Sequence, residues 1–290
     1  MRKRFTFQAV DVELNTDCCS PHTNAELTLT LRLPLQQINP KFGAFNGTGN
    51  DGKGKEREIV KWSPDIWREY KKDIVRIAEP FWSRKFWLIN ENYKFPFKLN
   101  PGSPDAYYPN IECCFKLVVR DALPADPLTI KVVRLAPGAK FVEHKMLFSD
   151  QGRFMEPKMH LTKSVPDPVL HGVSWTVDTG ILSQRSLLHE IGHILVLSHV
   201  AAGTRLCPWG SDLNRVICYG TNDYEKHSLM GGGEELRPEH AYAWQQALHL
   251  FPEAGEEDWP VEMKRPSPKH PMLITSSVQG GCEVSRFVSK

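Results

Sequence analysis

Two histidines and a glutamate within residues 189–193 have the spacing that a zinc site on a helix requires. His189 and His193 are four residues apart, so on a helix both imidazoles lie on nearly the same face and can reach one metal ion. Glu190 follows the first histidine directly, and its carboxylate can then reach a water on that ion. The other interpretation is an amphipathic helix that carries two ordinary histidines.

A third histidine stands six residues after His193. If the helix continued to His199, six steps of about 100° would place this side chain well off the face that carries His193. A three-histidine site is therefore possible only if the helix ends and the chain turns back. The sequence predicts such a turn, with a fourth zinc position left open for water.

The complete pattern is similar to the metzincin signature HExxHxxGxxH, and the spacing of the histidines matches it fully. The chain departs from the signature at Val196. Metzincins have Gly at this turn because the backbone there adopts a positive φ, which a β-branched residue strongly disfavours. Either the turn is strained by about 1–3 kcal/mol, or the chain takes a different path.

A second segment resembles the Met-turn, the tight turn that lies beneath the zinc in metzincins. Ser228 stands two residues before Met230, and three glycines follow the methionine and permit a sharp turn. The resemblance implies a structural role for both residues, with Met230 as a soft apolar floor under the ligands. In astacins and serralysins a tyrosine two residues after the methionine can reach the zinc, but here Gly232 occupies that place.

The resemblance implies an α+β, zincin-like fold. We expect a twisted mixed sheet with an active-site helix and a backing helix, then a smaller C-terminal subdomain with the Met-turn and a terminal helix. The resemblance also implies a Zn²⁺-dependent endopeptidase that hydrolyses a protein or peptide substrate with Glu190 as general base. An extended peptide would lie along an edge strand of the sheet.

Other interpretations of the site stay open. In a gluzincin-like protease the third ligand would be a downstream carboxylate, from Glu234, Glu235 or Glu239, and His199 would be a coincidence. In a zinc-stabilised binding protein there would be no catalysis, although a structural site needs no base and is usually closed by four protein ligands. Tyr219 and Tyr224 are near enough in sequence to reach the site, but packing is their expected role.

Local patterns predict the elements that position these residues. Alternating apolar residues predict a strand at 24–33, and Ser63-Pro64 predicts the start of a helix with one apolar face that ends or bends near residue 79, before Pro80. Ser183 is the expected N-cap of the active-site helix. Further strands are expected at Cys114–Arg120, Leu128–Leu135 and His171–Asp178, and a last helix at Arg237–Leu250.

Composition shifts divide the chain into three parts. Residues 1–60 are expected to be an N-terminal extension with a strand and a glycine-rich loop at 43–54, residues 61–252 the catalytic domain, and residues 253–290 a Pro-rich tail. The extension is open to interpretation as an inhibitory segment, a delivery signal or additional sheet.

Charge and hydropathy limit the partners. A formal charge of +2 gives no reason to expect a nucleic-acid partner, and the sequence lacks the eighteen-residue apolar run that a membrane span needs. The basic start of the chain lacks the apolar run of a signal peptide. We therefore expect a cytoplasmic protein or one exported by a leaderless route, either an effector or toxin protease or an intracellular processing enzyme.

The seven cysteines include no CxxC pair, so a cysteine zinc site is not expected. Cys207 and Cys218 could form a disulfide across a short loop, but buried free thiols are the favoured expectation because no leader is present. The histidines outside the motif have no ligand spacing, and surface or hydrogen-bonded core roles are expected for them.

Overall fold

The structure is a computed structural model. The described residues are 2–7, 10–17, 23–40, 46–50, 56–90, 110–124, 126, 129–134, 160–163, 173–177, 180–213, 215–254 and 259–264.

The chain is a mixed α and β structure. The strands are β1 (Arg2–Phe7), β2 (Val10–Asn15), β3 (Ala25–Ile38), β4 (Asn46–Asn50), β5 (Glu56–Val60), β6 (Trp87–Ile89), β7 (Asn110–Asp121), β8 (Ile130–Arg134), β9 (His160–Lys163), β10 (Val173–Val177), β11 (Gly180–Gln184) and β12 (Val261–Glu262). The helices are α1 (Pro64–Trp82), α2 (Ser186–Ile194), α3 (Asp223–His227) and α4 (Tyr242–Leu248), with 3₁₀ turns at Val216–Tyr219, Pro238–Ala241 and Pro252–Ala254.

The main sheet has eight described strands and contains both parallel and antiparallel pairs. Its order is β1-β2-β3-β7-β6-β12, and β8 pairs with β3 beyond the end of β7 and with β9 on its other side. The pairs β3–β7, β3–β8 and β8–β9 are parallel, whereas the pairs at β1, β2, β6 and β12 are antiparallel. The expected α+β class with a mixed sheet is confirmed. Two further pairs, β4–β5 and β10–β11, form separate antiparallel hairpins.

Strand β3 lies at the centre of the sheet. Its alternate residues, from Leu27 to Leu33, are buried, and those between them are half-buried. This is the period-two pattern that predicted a strand at 24–33, and the strand extends five residues beyond that range. Strands β2 and β3 share one core with helix α2 and Met230, so this part of residues 1–60 packs with the site. The boundaries proposed at residues 60 and 252 stay predictions.

Helix α1 begins as expected and ends later than expected. The Ser63 hydroxyl accepts a hydrogen bond from the Ile66 N–H, and Pro64 occupies the first turn. Of the two outcomes expected near residue 79, an end or a bend, the end is wrong, because the helix continues to Trp82. The Trp82 side chain is fully buried against Phe115, and this packing holds the last residues in helical conformation despite the proline.

Other local predictions need correction at their boundaries. The strands expected at 114–120, 128–135 and 171–178 are present as β7, β8 and β10. Ser183 lies inside β11 and does not cap α2, since Arg185 occupies the N-cap position. The expected last helix is a 3₁₀ turn followed by α4. Within the expected glycine-rich loop, residues 46–50 form β4, and the remaining loop residues lie outside the described part of the chain.

Across the described ranges, no helix combines the length and apolar character that a membrane crossing demands.

Trp244 of α4 ties the C-terminal segment to the sheet. Its ring is fully buried, its centroid lies 5.6 Å from that of Phe86 and 6.4 Å from that of Trp82, and its Nε1–H donates to the carbonyl of Cys114 at 3.0 Å.

We expect Trp244→Ala to lower the free energy of unfolding by about 3–5 kcal/mol, because a large cavity replaces the ring. Trp244→Phe should cost less, since most of the ring volume stays and mainly the hydrogen bond to Cys114 is lost. Urea denaturation measures both, with Tyr242→Ala as a control on an exposed residue of the same helix. Equal losses for Trp244→Ala and Tyr242→Ala would contradict this role.

Candidate metal centre

Three imidazoles meet at one point. His189 and His193 come from α2, and His199 comes from the segment after the turn. Their Nε2 atoms lie 3.1 Å (His189–His193), 3.1 Å (His193–His199) and 3.3 Å (His189–His199) apart. Tetrahedral zinc with Zn–N bonds of about 2.0–2.1 Å holds its nitrogen ligands about 3.3 Å apart. The spacing of the three nitrogens therefore fits one ion.

Hydrogen bonds on the far side of each ring set the tautomer. The Nδ1 atoms of His189, His193 and His199 lie 2.7, 2.8 and 2.7 Å from the carbonyl oxygens of Leu229, Leu197 and Leu213, in that order. A carbonyl only accepts, so each Nδ1 carries the proton and each Nε2 presents a bare lone pair. Three such lone pairs at this distance repel one another unless a cation lies between them.

The environment also keeps the ligands neutral. Burial lowers the pKa of His193 to about 3 and that of His199 to about 4, and it holds the pKa of His189 well below its ordinary value. Neutral imidazole is the form that binds a metal. Imidazole nitrogens suit zinc but also copper, iron and nickel, so the donor set supports a transition metal in general.

The turn that delivers His199 is a helix C-terminus with Val196 at its centre. The Leu197 N–H donates to the Gly192 carbonyl at 2.9 Å and the Val196 N–H to the His193 carbonyl at 3.0 Å, which is the hydrogen-bond pattern of a Schellman motif. Val196 has φ 66°. Of the two expectations for this position, the positive φ is the one found, and the chain bends where the three-histidine site requires it.

The segment around Met230 lies directly under the helix. A Cβ atom on Gly192 would stand 2.5 Å from the Met230 sulfur, so any larger residue at position 192 would displace the Met230 side chain. The Met230 carbonyl accepts from the Val200 N–H at 3.1 Å, and this bond links the turn to the residue after the third histidine. Met230 and Ser228 are both buried, and the sulfur packs against α2 rather than joining the three nitrogens.

Gln184 and Arg185 connect the Met230 segment to the start of α2. The sequence pattern did not predict this role for them. The Gln184 amide nitrogen lies 2.9–3.0 Å from the carbonyls of Leu229, Gly231 and Gly233. One of these, the Leu229 carbonyl, is also the acceptor for His189. The only sequence signal for such a role is a pair of polar residues directly before an apolar helix.

The carboxylates proposed as alternative ligands have other partners. Glu234 binds the Arg185 guanidinium, with the closest contact at 2.7 Å, and Glu235 binds Arg237 at 2.9 Å. Glu239 is exposed. Within the described residues, the group of ligand atoms that converges around the α2 histidines contains His199 and none of these glutamates.

The Glu190 carboxyl has an oxygen atom that could still accept a hydrogen bond. Its Oε2 atom is buried and has no hydrogen-bond partner within the described part of the chain. Burial raises the pKa of the Glu190 carboxyl well above its ordinary value. A cation on the neighbouring histidines would favour the charged carboxylate again, so this side chain fits a site that holds a metal and a water.

The two tyrosines differ in their position. The Tyr219 ring centroid lies 3.9 Å from that of His199 and 5.7 Å from that of His189, so Tyr219 packs directly on two of the three histidines. Burial raises the pKa of its phenol and keeps it protonated. Tyr224 is exposed and lies against the Arg237 guanidinium, 3.5 Å from the ring centroid.

Cys207 and Cys218 form a disulfide, so the favoured expectation of free thiols is wrong for this pair. Both cysteines are fully buried, and their bond closes the loop that contains Leu213. Cys113 and Cys114 are buried free thiols, whereas Cys18, Cys19 and Cys282 lie outside the described residues.

His240 has a hydrogen-bonded core role, as expected for histidines outside the motif. Its Nδ1 accepts from the Arg237 N–H at 2.9 Å, and its Nε2 lies 3.1 Å from the Ser228 hydroxyl. His227 is half-buried and donates to the Asp223 carbonyl at 2.8 Å. The other histidines are exposed or have no described side chain; they are His22, His144, His160, His171, His249 and His270.

A cavity of about 350 Å³ adjoins the site on the side of the Met230 segment. His199, Met230 and His240 line it, together with the apolar side chains of Val196 and Val200.

Comparisons with protein-family models, with curated proteins and with solved structures found no match.

We expect Val196→Gly to raise the free energy of unfolding by about 0.5–1 kcal/mol, because glycine adopts positive φ without steric cost. Val196→Ala should gain less, since it keeps the Cβ atom that makes this conformation unfavourable. Chemical denaturation of the metal-free protein measures both. A loss of stability in the glycine variant would mean that the valine side chain contributes more by packing than the turn costs.

Acidification should destabilise the protein through His240. Burial, with the nearby Arg237 charge, lowers the pKa of His240 to about 4, below the value of about 6.5 for an unfolded chain. The unfolded chain therefore takes up this proton first, and stability present above pH 6.5 is lost as the pH falls towards 4. The loss should be on the order of 2–3 kcal/mol.

The matched variant is His240→Asn, which offers an acceptor to the Arg237 N–H but does not titrate. Unfolding midpoints measured from pH 7 to 4 should fall less steeply in this variant than in the wild type. Parallel curves would contradict the role given to His240, because titration of the other histidines is common to both proteins.

Proposed function

We propose that this protein is a metzincin-type zinc endopeptidase. The observation that carries the proposal is the convergence of three Nε2 lone pairs at 3.1–3.3 Å beside Glu190, whose buried Oε2 atom has no hydrogen-bond partner among the described residues. Three neutral imidazoles leave one position of a tetrahedral metal open, as catalytic zinc sites do. The turn at Val196 and the packing of Met230 under Gly192 support the same family.

The fold would then be zincin-like. Helix α1 packs against β7 in the position of a backing helix, α2 is the active-site helix, and the C-terminal segment contributes the Met230 turn and α4. An extended peptide substrate would pair with an edge strand beside the site.

Residues of this chain would perform the proton transfers. His189, His193 and His199 would hold the ion, which when bound polarises a carbonyl and lowers the pKa of water. Glu190 would take a proton from the attacking water and pass it to the leaving amine. Its buried position excludes competing hydrogen bonds and leaves the carboxylate available to that water. Tyr219 would fix two ligand rings by packing on them.

The competing interpretations fit the geometry less well. A gluzincin-like site would require Glu234, Glu235 or Glu239 to replace His199, and two of these are in ion pairs with arginines. A zinc-stabilised binding protein has no use for Glu190, and burial of its Oε2 atom without a hydrogen-bond partner among the described residues costs free energy. A role as a delivered effector or toxin stays a prediction.

Glu190→Gln should retain zinc and lose hydrolysis by at least about 100-fold, because the isosteric amide cannot accept the proton. Metal analysis and cleavage of a peptide library, each with and without a chelator, measure the two properties together. The matched control is Glu69→Gln, an exposed glutamate of α1 that pairs with Lys72, which should behave as wild type. Proteolysis that survives Glu190→Gln would remove the basis of the assignment.

A further inference from the structure

The loop between Cys207 and Cys218 holds the third metal ligand in place. Its Leu213 carbonyl accepts the proton on His199 Nδ1 at 2.7 Å. This bond determines which ring nitrogen of His199 faces the metal and how the ring is oriented. The other two histidines bond to carbonyls at the end of α2 and in the Met230 segment, so of the three Nδ1–H bonds only that of His199 is made to this loop.

Both ends of the loop are attached to the residues that follow His199. The Ala201 N–H donates to the Cys218 carbonyl at 3.1 Å, and the Gly203 N–H donates to the Cys207 carbonyl at 2.7 Å. The disulfide joins these two anchor points. The segment 199–203 and the loop are thus one unit, closed by the S–S bond.

The outer side of the loop is exposed to solvent. Trp209 is 64 % and Val216 87 % exposed, whereas the two cysteines are fully buried. Backbone N–H groups of Ser211 and Arg215 donate within the loop, to Pro208 and Asp212. These local turns give the loop its shape, and the disulfide joins its two ends.

We propose that the Cys207–Cys218 disulfide is a positioning element for His199, and that its reduction lowers the affinity of the site for metal. Opening the S–S bond leaves the ends of the loop held by hydrogen bonds alone, and the bond from His199 to the Leu213 carbonyl is weakened. The inference requires a metal centre at the three histidines but no peptide hydrolysis. A chain that binds zinc and cleaves nothing would overturn the proposed function and leave this inference intact.

The reductant is a dithiol. Dithiothreitol supplies two electrons and two protons, so the S–S bond breaks, each cysteine sulfur becomes a thiol, and the reductant closes to its cyclic disulfide. Reoxidation by oxidised dithiothreitol reverses the reaction. Metal occupancy of this site would therefore follow the thiol–disulfide balance of its surroundings.

Zinc affinity measured by chelator competition tests the proposal without any substrate. The variant Cys207→Ser/Cys218→Ser should bind zinc about 10- to 100-fold more weakly than the oxidised wild type, the range found when a hydrogen-bond partner of a ligand is lost. The visible spectrum of the cobalt-substituted protein should also change in intensity, because it reports the geometry of the nitrogens around the ion. An unchanged affinity and spectrum would overturn the proposal.

A double-mutant cycle separates positioning of His199 from a general loss of structure. In a His199→Ala background the ligand that the disulfide positions is absent, so adding the double serine change should alter zinc affinity by less than about twofold. Gln184→Ala, which acts at the acceptor of His189, is the matched control and should still weaken binding there. A further 10-fold loss from the serine change in this background would show a purely structural effect.

Reduction of the wild type provides the second arm, in case the serine variant fails to fold. After treatment with dithiothreitol, the reductant is removed by gel filtration without oxygen before zinc is added, because thiols bind zinc themselves. The reduced protein should show the same loss of affinity while its circular dichroism spectrum stays native, and reoxidation should restore binding. A folded, reduced protein with full affinity would contradict the proposal.

Discussion

Three bare imidazole lone pairs, 3.1–3.3 Å apart in a buried position, are the constraint around which this part of the molecule is organised. The arrangement is repulsive by itself, and protonation cannot relieve it easily because burial disfavours the charged rings. The structure holds the rings there through their opposite nitrogens. Each Nδ1–H is bound to a main-chain carbonyl, and each carbonyl belongs to a different segment.

Those three segments explain most of the local structure. The end of α2 turns through a Schellman motif at Val196, which presents the Leu197 carbonyl to His193. The Met230 segment, held by the Gln184 amide, presents the Leu229 carbonyl to His189. The third carbonyl, from Leu213, belongs to the loop closed by the disulfide. The turn at Val196, the segment held by Gln184 and the loop closed by the disulfide thus each orient one of the three histidines.

Helix geometry made the local part of this site predictable. The four-residue spacing of His189 and His193 and the need for a bend before His199 follow from 3.6 residues per turn, and both were found. Strand β3 and the start of α1 follow from periodicity and from Ser63-Pro64. In contrast, the Gln184 amide, the Arg185–Glu234 ion pair and the Leu213 carbonyl act on residues 14 to 49 positions away. No local sequence pattern predicts contacts between residues so far apart in the chain.

The errors at Pro80 and Ser183 have the same origin. Each residue has a strong local preference, to end a helix or to cap one. Burial of Trp82 against Phe115 overrides the first preference. The second is overridden because Ser183 is paired with Ser174 in a hairpin, while the Arg185 N–H finds its acceptor in the Glu234 carboxylate.

That the three histidines are oriented by main-chain carbonyls has a consequence for how such sites change over time. The acceptors at Leu197, Leu213 and Leu229 are peptide groups, and every amino acid supplies one. The side chains at these three positions can be substituted without loss of the hydrogen bonds to the histidines, provided that the backbone path is kept. Two proteins could therefore share this centre in full and retain, as visible traces of it in their sequences, little more than three histidines and a glutamate.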